Sequence, residues 1–77
     1  MLSDADILEG YQRETGKPMR VDDFRAFKRF MAACECEDAD SFADADKRIN
    51  ATIEMYRDGA PGFEDFLDRL IALKERI

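Results

Sequence analysis

Phe63-Glu64-Asp65-Phe66-Leu67-Asp68-Arg69-Leu70-Ile71-Ala72-Leu73-Lys74-Glu75-Arg76-Ile77 is the stretch whose reading decides the fold. Phe63, Phe66, Leu70, Leu73 and Ile77 recur at spacings of three, four, three and four. That is the period of one helix face, and it excludes the strict alternation of a half-buried strand. Leu67 and Ile71 lie beside this seam and make the apolar arc wider than the two-in-seven stripe of a simple coiled coil. Two expectations follow. Either this helix sits centrally in a bundle and buries a broad arc, or one flank faces outward and dimerises or meets another protein.

Upstream, the same period returns in shorter pieces. Gly59-Ala60-Pro61 closes a helix carrying Phe42, Ala45, Ile49, Ile53 and Tyr56, which is expected to start near Asp40 or Ser41; the next helix then begins at Pro61 or just after Gly62. Before it, Phe24, Phe27, Met31 and Cys34 form an apolar stripe widened by Phe30, with Arg25, Lys28 and Arg29 on another side and Asp22 or Asp23 as the expected cap. The turn after it is placed within residues 35–40. The first helix is announced by Ser3 with Asp6 in the capping-box position and Leu2 set to staple onto Ile7. Ile7, Leu8 and Tyr11 supply its stripe, Gly10 weakens its middle by roughly 1 kcal/mol, and Gly16-Lys17-Pro18 stops it. The fold class expected is all-α: one domain over residues 1–77, a small bundle of about four short helices that dimerises through the C-terminal one.

A chain of 77 residues buries only about 60% of the surface its unfolded form exposes, so its core is thin and self-association would help it. Charged residues make up 39% of the chain, against the usual ~25%, which requires much solvated helix surface. The net charge of -6 disfavours broad binding to nucleic acid or to an anionic membrane, both of which need a dominant positive field. Charge is segregated, +3 over residues 13–31 and -6 over residues 32–46, so the basic stretch either pairs internally or steers a charged partner. No apolar run approaches the ~18 residues that span a bilayer, and Met1-Leu2-Ser3-Asp4 carries no leader pattern, so the cytoplasm is the expected compartment.

The chemistry-bearing residues are few. Histidine is absent, which removes the commonest general base and leaves no Ser-His or Cys-His pair, so no catalytic residue is assigned and a non-enzyme is expected. Asp22-Asp23 and Asp44 with Asp46 read as helix-start residues before they read as catalytic dyads. Cys34-Glu35-Cys36 has the wrong spacing for a zinc knuckle and no second pair to complete four ligands. On a continued helix Cys34 extends the core stripe and Cys36 sits nearer the surface, open to an intersubunit site or disulfide. The acidic residues from Glu35 to Asp46 lack the central Gly and the twelfth-position Glu of a calcium loop. No metal and no cofactor is therefore expected.

Asp40-Ser41-Phe42, in a short acidic helical chain, resembles the Asp-Ser-Leu attachment site of acyl carrier proteins. The resemblance implies pantetheine on Ser41. It covers two identical residues, with Phe42 in place of Leu and Lys47-Arg48 interrupting the acidic helix such proteins carry next. A second alternative makes the first two helices a helix-turn-helix pair reading nucleic acid with Lys17, Arg20, Arg25, Lys28 and Arg29, although Asp22 and Asp23 would repel phosphates at the start of the reading helix.

The leading expectation is a small protein-binding regulator, an adaptor, inhibitor or accessory subunit acting by occupancy and of the size of inhibitors carried by phages or plasmids. Its partner surface is expected to combine Phe66, Leu67, Leu70, Ile71 and Leu73 with charged help from Arg25, Lys28 and Arg29. Another protein, foremost a second copy of the chain, is the expected partner, with neither nucleic acid nor membrane.

Overall fold

The computed structural model describes residues 2–77 and contains, in order, α1 (Asp4–Thr15), α2 (Val21–Ala33), α3 (Phe42–Arg57) and α4 (Phe63–Lys74), with no strand among the described residues. The leader reading of the first four residues includes Met1, which lies outside them.

Local chemistry sets most of the boundaries. At α1, Ser3 Oγ accepts from the Asp6 N–H at 3.1 Å while Asp6 Oδ2 accepts from the Ser3 N–H at 3.1 Å, a reciprocal capping box. These two hydrogen bonds to the charged form hold the Asp6 carboxyl below the usual carboxylate range, the backbone donor contributing most. Leu2 and Ile7, the residues expected to staple across this start, are both buried in the core. Gly16 ends α1 in the left-handed conformation, its N–H returning to the Gln12 carbonyl at 2.8 Å. Ser41 caps α3 by accepting from the Asp44 N–H at 3.1 Å, as the sequence suggests.

At α2 the expected cap is corrected. Neither Asp22 nor Asp23 is the N-cap: Arg20 occupies that position with no side-chain bond, Val21 opens the helix, and the two aspartates fall in its first turn. There their charge faces the helix dipole and needs no capping geometry to be favourable.

The end of α2 brings a larger correction. The helix stops at Ala33, and Glu35 turns left-handed at φ 56°. The Glu35 N–H donates to the Ala32 carbonyl at 3.2 Å and the Cys36 N–H to the Met31 carbonyl at 2.9 Å, the two bonds of a Schellman closure. Such a closure folds the residue after the turn back onto the last helical turn. Cys36 therefore joins Met31 in the core and is 0% exposed, whereas Cys34 is only half-buried. The expected order of the two thiols is reversed, and Cys36 has no access to a disulfide between subunits. Burial pushes both thiols above the ordinary range.

One continuous core joins α1, α2, the α2–α3 connection and α3, centred on Ile7, Met31, Cys36, Phe42, Ala45 and Ile49. Phe42 is its hinge. Its ring stacks on Phe27 of α2 at 4.9 Å between centroids and receives the edge of Tyr11 of α1 at 6.2 Å. Gly10 is what lets α1 reach it. A Cβ on Gly10 would lie 2.4 Å from Phe42 Cβ, so the residue that costs helix propensity is required for the closest approach of α1 and α3. Arg48 of α3 ties the connection down, pairing with Asp38 at 3.1 Å and Asp44 at 3.9 Å and donating from Nη2 to the Glu35 carbonyl at 3.1 Å.

Candidate docking surface

Helix α4 stands outside this core. Its main neighbour is α2, and Phe66, 3% exposed, is its one buried residue. The Phe66 ring lies 5.0 Å from Tyr56 of α3 and 6.5 Å from Phe30 of α2, and the Arg69 guanidinium sits 5.9 Å above it. Arg69 also reaches Glu35 at 3.6 Å, which fastens α4 to the α2–α3 connection from the polar side. Leu70, Leu73 and Ile77 are half-buried. The acidic first turn and the basic last turn, Glu64 and Asp65 against Lys74, both suit the helix dipole.

The flank that decides between the two expectations for this helix faces solvent: Leu67 is 39% exposed and Ile71 66%. Phe63, 48% exposed, extends the apolar surface toward Tyr56, 5.7 Å away between ring centroids. A central helix buried over a broad arc is therefore not what this chain builds. Of the apolar residues expected at a partner surface, Phe66 belongs to the seam with α2, Leu70 and Leu73 lie at its margin, and Leu67 and Ile71 are free.

The sequence reading passes over the ends of this flank. Glu64, Leu67, Ile71 and Lys74 are spaced by three, four and three residues and are all exposed, so they form one straight stripe on α4. Neither Glu64 nor Lys74 takes part in an ion pair among the described residues. The signal lies in the sequence as a helical spacing that mixes charged with apolar residues, and apolar periodicity alone does not contain it.

The charged half of the expected surface is divided. Lys28 pairs with Asp4 of α1 at 3.0 Å and lies 5.6 Å from the Phe24 ring, so it is engaged within the chain. Arg25 is exposed and Arg29 half-buried, and neither pairs with a carboxylate among the described residues. The acidic connection is held by Arg48 and Arg69 and not by the basic stretch of α2.

Other readings find less support in the geometry. Helix α1 packs more closely on α3 than on α2, whereas a helix-turn-helix rests on close packing of its two helices. The Ser41 hydroxyl caps α3 and the Phe42 side chain after it is core, which accounts for both residues of the carrier-like motif structurally. No helix among the described residues is long and apolar enough to cross a membrane. The fold defines a small all-α bundle. Compared with protein-family models, curated proteins and solved structures, the chain finds no significant match.

Proposed function

We propose that this protein is a non-enzymatic protein-binding regulator that acts by occupancy, and that the outward stripe of α4 is its docking face, with a second copy of the chain as the occupant. One observation carries the reading: the stripe Glu64, Leu67, Ile71, Lys74 is exposed, acidic at one end, basic at the other and apolar between. Two such stripes laid antiparallel about a two-fold axis place Leu67 of each copy against Ile71 of the other and Glu64 against Lys74. An isologous interface requires this self-complementarity. Laid parallel, the same stripes would set Glu64 on Glu64 and Lys74 on Lys74, so charge selects the antiparallel arrangement.

The stripe runs from Glu64 to Lys74, ten steps and roughly 15 Å at the helical rise, and supports an interface at the small end of the specific range, one that exchanges readily. Leu67 and Ile71 supply affinity by leaving water, while the end charges and the unpaired Arg25 and Arg29 govern encounter and orientation. A regulator built this way acts by what its stripe covers, and the dimer holds the stripe closed until a competing protein surface takes it.

A charge-swap series tests the reading. Glu64→Lys and Lys74→Glu, each alone, should weaken dimerisation in sedimentation experiments at low salt, and the double variant should restore it. Equal dimerisation in all four proteins, or a double variant weaker than both singles, would remove the antiparallel pairing.

A further inference from the structure

A cleft of about 400 Å³ opens between α1, α2 and α3, on a different part of the molecule from the α4 stripe. Its inner wall is aromatic and apolar, with Tyr11, Phe27, Phe30, Phe42, Met19 and Ile49 among its lining residues. Most of these belong to the core or pack against it, yet Tyr11, Met19, Phe27 and Phe30 stay only half-buried because no fourth element covers them. Around this wall stand Glu14, Asp23 and Asp46, one carboxylate from each of the three helices. None of the three is in an ion pair among the described residues, and no Lys or Arg lines the cleft although the chain carries 12 of them. Asp46 has one weak neighbour, the Asn50 amide at 3.5 Å.

We infer that this cleft is a binding site for a small organic cation with an apolar body, such as an arylalkylammonium. The inference does not depend on the function proposed for α4. Three features select the ligand. The volume of about 400 Å³ falls within the range of small-molecule sites, about 300–1,000 Å³. Aromatic faces attract a cation through their quadrupole and also accept the ring that carries it. Three unneutralised carboxylates around a low-dielectric wall concentrate negative potential in the cleft, which favours a cation and repels an anion of the same shape.

Amide chemical-shift titrations of the full chain with 2-phenylethylammonium, the neutral 2-phenylethanol and the anionic phenylacetate provide the test. The cation should give saturable shifts clustered on the cleft-facing parts of α1, α2 and α3. The alcohol should bind more weakly and the carboxylate weakest. Asp23→Asn with Asp46→Asn, both at the cleft rim, should cut the cation's affinity about fivefold, the size expected for two partly screened charges, while leaving the alcohol's unchanged and the rest of the spectrum in place. Equal binding of cation and alcohol, shifts spread over the surface, absence of saturation, or a double variant that binds the cation as tightly as the parent would each overturn the assignment.

Discussion

Helices α3 and α4 carry the same kind of apolar stripe, yet α3 buries Phe42, Ala45 and Ile49 whereas α4 buries Phe66 alone. The difference lies in what surrounds them. Helix α3 has α1 against one side, opened by Gly10, and α2 against another through the Phe27 stack, so its apolar residues meet partners within the chain. Helix α4 leans mainly on α2 and touches the end of α3 through Tyr56, leaving Leu70 and Leu73 half-covered and Phe63, Leu67 and Ile71 exposed. An apolar periodicity therefore reports that a face wants covering and does not say whether the cover comes from the same chain.

Truncating one anchor in each region is the strongest way to break this comparison. Phe42→Ala should cost about 3–5 kcal/mol of global stability in urea unfolding, since the ring holds three helices together. Phe66→Ala should act locally: amide exchange in α4 should approach the unprotected rate while α1, α2 and α3 keep most of their protection. Equal loss of protection in all four helices would make α4 part of the core.

A smaller effect is expected at Gly10. Ala is the better helix former by up to about 1 kcal/mol, but its methyl would meet Phe42 Cβ at 2.4 Å. Gly10→Ala should therefore lose a net 1–3 kcal/mol, roughly the cost of overpacking. A gain in urea midpoint would show that α1 and α3 separate at little cost.

The buried thiol of Cys36 gives a subtler contrast, because α4 contains no comparable group. Burial raises its pKa above the unfolded value, so its contribution to stability is fully present below the unfolded thiol pKa of about 8.5 and is lost as pH rises through the folded value. Stability measured from neutral to alkaline pH should fall above that point, and Cys36→Ala should flatten the fall. An identical slope in the variant would assign the alkaline loss to other groups.

Much of the fold was legible from the residues. Ser3 with Asp6, Ser41, Gly16 and Gly59-Ala60-Pro61 mark helix ends through chemistry that acts over four residues or fewer, and the structure places caps and stops there. Asp22 and Asp23 misled because an aspartate favours both the cap and the first turn, and it is the extended backbone at Arg20, ψ 151°, that places the cap ahead of them. Cys34 and Cys36 were reversed because the sequence offers no Gly at the turn; a Glu takes the left-handed position, stabilised on its carbonyl by Arg48 thirteen residues later. Gly10 read as a weakness for the same reason, its partner Phe42 being distant in the chain. The exposed flank of α4 could be named from spacing, but its exposure depends on α4 packing chiefly on α2, outside the core that α1 to α3 share, which no local pattern records.

Sedimentation across a dilution series, on the parent chain and on Leu67→Glu with Ile71→Glu, tests the docking role of α4 most directly. Both substitutions sit on exposed positions and should change folding stability by no more than about 0.5 kcal/mol each. The parent should move between dimer and an 8.9 kDa monomer as it is diluted, and the folded double variant should remain monomeric throughout. A parent chain that is monomeric at every concentration, or a double variant that dimerises as the parent does, would contradict the assignment of that stripe as the docking face.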